Sequence, residues 1–164
     1  MASRSHFIID TNVLIDLHRG EILGQFFSLP HRFIAPDVII EELEDPDGGL
    51  LIGYGLQQGE LSGDGVMEVM ALAAHHRNIA LNDLFALVLA ASTGLTLLTG
   101  DGRLRSLAAK HNVPVRGTLW VLDEMIAGNK LKTVEARRAL TKMLENGSRL
   151  PIAECQVRLR QWES

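Results

Sequence analysis

The chain has 164 residues, of which 46% are hydrophobic and 22% are charged, so its length and composition fit one globular domain. A single cysteine, Cys155, excludes an internal disulfide and a multi-cysteine zinc site, and we expect it to be a buried apolar residue. The formal net charge of -4 argues against a protein that binds nucleic acid by electrostatics alone.

Hydrophobic periodicity and turn residues predict strands that alternate with helices. In chain order, the predicted elements are a strand over Phe7–Ile9, a helix from Asp10 to Gly20, a helix over 22–29, a strand over Phe33–Ala35, a helix that starts at Pro36 or Asp37, a helix from Val66 to about His76, a helix capped by Asn82 that ends near Gly94, a strand over Thr96–Thr99, a helix over Asp101–Lys110, a strand over Val113–Val115, a helix from Thr118 to Gly128, and helices over 133–146 and 152–162.

The segment between these elements in the middle of the chain contains many glycines. Asp45–Gly49 is predicted to be a loop, and Leu50–Leu61 is predicted to be irregular with one short strand. Strands alternating with helices predict a three-layer α/β/α sandwich with a mostly parallel central sheet. We expect a single domain over residues 1–164, with a C-terminal helical extension over residues 130–164 that packs on the same domain.

Four acidic residues stand where a parallel sheet would bring them together. Asp10 directly follows the first predicted strand, and Asp101 follows the Thr96–Thr99 strand after one glycine. Asp83 lies in the first turn of a long helix, and Glu42 lies on the helix after the second strand. Because open α/β sheets place their sites at the carboxyl ends of the strands, these four side chains could converge on one pocket.

Four carboxylates that meet would raise one another's pKa unless a cation compensates their charge. Mg²⁺ prefers such oxygen ligands and leaves room in its shell for water or substrate phosphate. One ion could activate a water molecule, and a second could hold the leaving oxygen of a phosphodiester. The sequence therefore favours a metal-dependent phosphodiesterase.

Each acid also has a simpler interpretation. Asp10 and Asp83 could merely serve helix caps, and Asp101 could merely belong to a turn between two glycines. The run of Glu41, Glu42 and Glu44 is also typical of a solvated helix face. Glu41 and Glu42 both border the inward stripe of their helix, and we favour Glu42 as the fourth acid.

Other residues have open roles. Asp16 opposes the apolar stripe of its helix, so we expect it at the surface. Arg103 and Arg105 could contact phosphate or could be ordinary exposed positions. Trp120 and Trp162 are expected to anchor the core or an interface rather than to stack on bases.

The two halves of the chain differ in charge. Residues 1–100 hold 4 Lys and Arg against 13 Asp and Glu, a net charge of -9, whereas residues 101–164 hold 12 against 7, a net charge of +5. This division fits a cation-binding pocket beside a phosphate-binding surface, and it fits solvated helix faces equally well. The apolar runs are too short for a signal peptide or for the roughly 20 residues of a membrane span, so we expect a cytoplasmic protein.

Several segments resemble the PIN domain in residue type, order and spacing. They are Ile9–Ile15, Pro36–Leu43, Leu81–Asp83, Leu97–Asp101 and Val115–Leu119. The resemblance covers residues 6 to about 127, which is most of the chain.

The resemblance implies a ribonuclease that depends on Mg²⁺ or Mn²⁺. Its metal-binding acids would be Asp10, Glu42, Asp83 and Asp101. It also implies that Asn12 and Thr99 orient these carboxylates or bind a phosphate. Some PIN domains carry a further acid four residues after the last aspartate, where this chain has Arg105, so a second fully coordinated metal is not implied. Arg105 could instead place a positive charge near the scissile phosphate.

Many bacterial and archaeal PIN domains are the toxins of toxin–antitoxin pairs. The resemblance therefore implies a VapC-like toxin or a close relative, with an RNA substrate, an antitoxin protein as a partner, and a homodimer. The alternative is a catalytically inactive PIN-like module that binds RNA or protein. A phosphotransfer enzyme of the haloacid dehalogenase type is disfavoured, because Asp10-Thr11-Asn12 lacks the second aspartate of its motif.

Overall fold

The computed structural model of this chain describes residues 5–163. The elements in this range, in chain order, are β1 (His6–Ile9), α1 (Thr11–Arg19), α2 (Leu23–Phe27), β2 (Arg32–Pro36), α3 (Asp37–Glu42), α4 (Gly48–Tyr54), β3 (Gln57–Gly59), α5 (Gly63–His75), α6 (Leu81–Thr93), β4 (Thr96–Leu98), α7 (Gly102–Lys110), β5 (Val115–Arg116), α8 (Thr118–Ala127), α9 (Thr133–Glu145) and α10 (Ile152–Gln161).

The strands of the described range form one parallel sheet in the order β3-β2-β1-β4-β5. Ile8 of β1 pairs with Ile34 on one side and with Leu97 on the other, and it is fully buried. One apolar core lies between the sheet and helices α1, α2, α8 and α9, and a second lies between the opposite face and helices α5, α6 and α7. The predicted three-layer α/β/α sandwich with a mostly parallel sheet is confirmed.

The strand order fixes where a site can form. From β1 the chain builds the sheet outward through β2 and β3, and then returns to add β4 and β5 on the other side of β1. The order therefore reverses between β1 and β4. In open α/β sheets, the crevice at the carboxyl ends of the strands on either side of such a reversal is the usual binding place.

The prediction of an irregular segment over Leu50–Leu61 was wrong for its first half. Residues 48–54 form α4, and the predicted short strand is β3. Leu51 of α4 is fully buried, so tertiary packing outweighs the low helix propensity of the glycines. Gly48 is required by close packing, because a Cβ there would clash with the carbonyl oxygen of Ile40. Gly55 ends the helix at a φ of 120°, which few other residues adopt.

Smaller differences concern the ends of elements. The strand predicted over Val113–Val115 is displaced to Val115–Arg116. Pro114 has no N–H to give to a ladder, and only its carbonyl oxygen accepts a bond, from the backbone N–H of Leu97 at 2.9 Å. The helix predicted over 22–29 is shorter, and the helix predicted from Val66 starts at Gly63.

The C-terminal helices lie on the first core. Helix α9 packs on α1, where a Cβ at Gly20 would be 2.8 Å from the terminal methyl of Met143 and 3.3 Å from the Cβ of Ala139. Cys155 is 1% exposed, which confirms its predicted burial, and Trp162 is buried in the same core. No helix among residues 5–163 combines the length and the apolarity that crossing a bilayer requires.

Candidate active site

Asp10 lies at the centre of the candidate site, immediately after β1. Its backbone N–H donates to the carbonyl oxygen of Leu98 at 2.9 Å, which extends the β1–β4 ladder by one residue. Its side chain caps α1 by accepting from the Asn12 backbone N–H at 3.4 Å. The residue is fully buried, yet it accepts further bonds from the Thr11 hydroxyl and from the Asn12 amide. The cap and these bonds fix both carboxylate oxygens in one orientation.

Thr99 joins Asp10 to a second carboxylate. Its buried hydroxyl donates to Oδ2 of Asp10 at 2.7 Å and accepts from the backbone N–H of Asp101 at 3.2 Å. The Asp101 side chain in turn accepts from the Arg103 backbone N–H at 2.9 Å and so caps α7. Asp10 and Asp101 both cap helices, and this leaves a role in a site open to them, because one strand-to-helix turn can serve both purposes.

Asp83 brings a third carboxylate to the same place from the opposite layer. It lies in the first turn of α6 and is 5% exposed. Its pKa is raised from 3.8 to about 8, first by burial and then by the charges and hydrogen-bonding oxygens of Asp10 and Asp101. Because Asp10 and Asp101 both act on Asp83, the three acids lie close together, and each charge makes ionisation of Asp83 less favourable.

Asn82 was wrongly predicted to cap α6. The cap position is Ala80, and Asn82 lies inside the first turn. Its amide instead donates to Oε2 of Glu42 at 3.1 Å, which connects the end of α3 to the residue next to Asp83. Glu42 and Glu41 are both exposed, and the bond to Asn82 belongs to Glu42. Glu42 therefore lies at the rim of the cluster formed by Asp10, Asp83 and Asp101.

The donor set of this cluster consists of carboxylate oxygens, with the Thr99 hydroxyl and the Asn12 amide behind them. Within residues 5–163, the salt bridges involve none of the four acids. Over the same range, no three acidic, histidine or cysteine side chains gather in a geometry already suited to a metal ion. Hard oxygen donors with uncompensated charge fit a divalent cation such as Mg²⁺, since binding would require only that Asp83 lose its proton and the side chains close in.

Asp16 was wrongly predicted to be at the surface. It is 7% exposed, and it accepts a hydrogen bond of 2.8 Å from the Thr118 hydroxyl at the start of α8. Burial is the main cause that raises its pKa, against the opposing effects of hydrogen bonds from Ser148 and Thr118. Asp16 thus joins α1 to α8 and to the segment between α9 and α10. In the sequence, the burial of Asp16 is signalled only by the Val115–Leu119 stretch, which resembles the PIN domain and contains Thr118.

The two arginines after Asp101 have different environments. The Arg103 guanidinium donates to the backbone carbonyl of Asn78 at 3.0 Å. The Arg105 guanidinium lies against Gly117, where a Cβ would be 3.0 Å from its Nη2 atom. Arg105 therefore lies against the loop between β5 and α8, whereas Arg103 is bonded to the segment before α6.

Comparisons with known proteins support the fold. The family model DUF3368, which describes a PIN domain, matches residues 6–164. Among solved structures, the chain is similar to a PilT N-terminus domain protein from the hyperthermophilic archaeon Sulfolobus solfataricus P2. The TM-score is 0.53 with 14% sequence identity, over 74% of this chain and 93% of that one. At this identity the likeness is one of fold. The curated proteins include no significant match to the sequence.

Proposed function

Because the chain belongs to the PIN domain family and has its nuclease-type fold, we propose that it is an endoribonuclease that hydrolyses RNA phosphodiester bonds with Mg²⁺ or Mn²⁺. The observation that carries the proposal is the convergence of Asp10, Asp83 and Asp101 at the carboxyl ends of β1 and β4, where burial first and then the two neighbouring acids raise the pKa of Asp83 to about 8. Such mutual repulsion costs stability in the free protein, and a divalent cation would relieve it.

Asp10, Asp83 and Asp101 would hold the ion, with Glu42 at the rim. The chemistry supplied by an ion at this site is Lewis acidity toward water and toward the phosphodiester oxygens. The chain's own contribution is to hold the acids in place: Thr99 bonds to Asp10 and Asp101, and Asn82 bonds to Glu42. Partner residues of this kind typically change metal affinity or activity by roughly 10- to 100-fold when they are removed.

The test is the cleavage of single-stranded RNA by the purified protein in Mg²⁺ and in excess chelator. Asp10→Asn and Asp101→Asn should each lower cleavage by more than about 100-fold, which is the largest loss typical when a residue that only supports a metal ligand is removed. Both variants should keep the fold. Asn remains a good cap at both positions, so the loss would not come from the helix ends. Asp64→Asn is the matched control, since Asp64 is exposed on α5. Undiminished cleavage by the Asp10 variant would contradict the proposal.

The second candidate is a PIN-like module that binds RNA or protein without cutting. The observation in its favour is that no ready three-ligand metal geometry exists in the described part of the chain. Metal titration separates the two candidates. The nuclease requires a divalent cation to bind near neutral pH with dependence on Asp83, whereas the module requires none.

We further propose that the nuclease is the toxin of a toxin–antitoxin pair, acts in the cytoplasm and forms a homodimer. Family membership supports this, together with the apolar side chains that α5 exposes, among them Met67 at 71% and Met70 at 54%. A small reading frame for a DNA-binding antitoxin next to this gene is expected. Light scattering should give twice the chain mass, and a monomer at all concentrations would contradict the dimer.

A further inference from the structure

A cavity of about 400 Å³ lies beside the turn that carries Asp101. Gly100 and Gly102, which flank Asp101, both line it, and neither position has another atom within 4 Å of where a Cβ would be. The other walls come from the start of α8 and from the segment that joins α9 to α10. The volume lies within the range of roughly 300–1,000 Å³ that small-ligand sites occupy.

One part of the cavity wall is strongly cationic. Arg105, Arg116 and Arg149 line it and are exposed, and the salt bridges of the described chain include none of the three. A fourth arginine, Arg158, is already neutralised by Asp123 at 2.8 Å. A single carboxylate, that of Glu154, stands among them. Three unpaired guanidinium groups beside a carboxylate cluster suit a phosphate, which they bind through paired N–H donors.

Another part of the wall is apolar and includes an aromatic ring. Trp120 packs on the core as expected, with its ring centroid 5.6 Å from that of Phe7, but it is only half-buried and also lines the cavity. Leu150 and Pro151 lie on the same lining. Nucleic-acid bases stack on aromatic faces without regard to sequence. A nucleotide needs an apolar surface for its base and a cationic surface for its phosphate, and the cavity has the two side by side.

Asp16 and Arg19 of α1 contact two parts of the cavity wall, the start of α8 and the α9–α10 segment. Asp16 accepts a hydrogen bond from the hydroxyl of Thr118, which lines the cavity. Arg19, at the end of the same helix, donates to the hydroxyl of Ser148, which precedes Arg149, at 3.3 Å. These contacts order the α9–α10 segment before any ligand arrives, which lowers the entropic cost of binding.

We propose that this cavity is the subsite for one nucleotide of single-stranded RNA next to the bond that is cut. Its phosphate contacts Arg105, Arg116 and Arg149, and its base lies on the apolar wall at Trp120. This inference rests on the proposed ribonuclease function and adds to it the residues that hold the strand. The C-terminal segment thereby takes part in substrate binding.

The experiment measures binding of a fluorescein-labelled single-stranded RNA of about six nucleotides by anisotropy, in chelator so that no cleavage occurs. Arg149→Ala should weaken binding about tenfold, as expected for a charge-assisted bond to phosphate. It should also lower the slope of log affinity against log salt by about 0.7. Arg138→Ala is the matched control, because it removes the same charge from an exposed position on α9 that lies outside the cavity.

Trp120→Leu provides an independent readout. It should weaken binding by about tenfold through lost stacking, but leave the salt slope unchanged, because no phosphate contact is removed. Since Trp120 also packs on Phe7, its fold must be checked by circular dichroism. Arg149 is exposed and makes no buried contact that the fold needs, so its variant keeps the test valid if the Trp120 variant unfolds.

The outcomes separate the two proposals. Equal binding by the Arg149 and Arg138 variants, with wild-type RNA cleavage intact, would overturn the subsite and leave the nuclease standing. Arg149-dependent binding without any RNA cleavage in Mg²⁺ would contradict the nuclease instead. Arg149-dependent capture of a poly-glutamate peptide, with no binding of the RNA, would overturn the subsite in favour of an acidic protein segment.

Discussion

Replacing Asp83 by asparagine should make the metal-free protein more stable while it abolishes RNA cleavage. The substitution keeps the shape of the side chain and removes one charge from the cluster with Asp10 and Asp101. The pKa of Asp83 is raised from 3.8 to about 8, first by burial and then by these two acids. At about 1.4 kcal/mol per pKa unit, the full shift sets an upper bound of about 6 kcal/mol on the cost of its charge. Water that reaches the partly exposed Asp101 screens the repulsion, so we expect about 2–3 kcal/mol.

The sign of the pH dependence follows from the direction of this shift. Because the pKa of Asp83 is higher in the folded state, the folded protein binds a proton more tightly than the unfolded chain does. The wild type therefore loses stability as the pH rises from 3.8 to about 8, and the loss levels off above that. The Asp83→Asn variant lacks this loss, so its advantage should grow across the same window.

The assay is denaturant unfolding of both proteins in chelator at several pH values between about 5 and 9. At pH 8 the variant should be more stable by about 2–3 kcal/mol, or by about 5–10 °C in Tm. Mg²⁺ at about 100 times its Kd should add about 2.7 kcal/mol to the wild type and little to the variant. A stability difference that does not change with pH, or a wild type that is the more stable at pH 8, would refute the reasoning.

Substitutions at Thr99, Glu42 and Asp16 also have defined outcomes. Thr99→Val keeps the side-chain shape but removes the hydroxyl bonded to Asp10, so unfolding should show a loss of about 1–3 kcal/mol and RNA cleavage should fall. Glu42→Gln should lower cleavage by roughly 10- to 100-fold and Glu41→Gln should not, whereas equal effects would reject the assignment of Glu42. Burial raises the pKa of Asp16, so Asp16→Asn should gain stability over wild type as the pH rises above 3.8; a gain that shrinks between about pH 5 and 8 would be contrary to this.

The position of the acidic cluster could be predicted from the sequence because general rules of parallel sheets determine it. Asp10 and Asp101 each follow a buried apolar strand, and the reversal of strand order between β1 and β4 brings those strand ends together. Asp83 could be added because its position in the first turn of a long helix was evident from the apolar pattern.

The features that the sequence did not predict depend on contacts between distant parts of the chain. Asp16 is buried because Thr118, 102 residues away, donates to it, and helical periodicity carries no information on such a contact. The amide of Asn82 bonds to Glu42, 40 residues earlier, although its residue type favours a helix cap. Helix α4 forms because Leu51 is buried and Gly48 packs on α3, against the local propensity of its glycines.

The contact of three carboxylates from two layers of the fold is the basis of the proposed activity. Crystals soaked in Mn²⁺ and measured at its absorption edge would test this contact directly. The account predicts an anomalous peak bounded by the side chains of Asp10, Asp83 and Asp101, and its loss in Asp83→Asn. Absence of a peak in the wild type at saturating Mn²⁺, or a peak at other residues alone, would contradict the account.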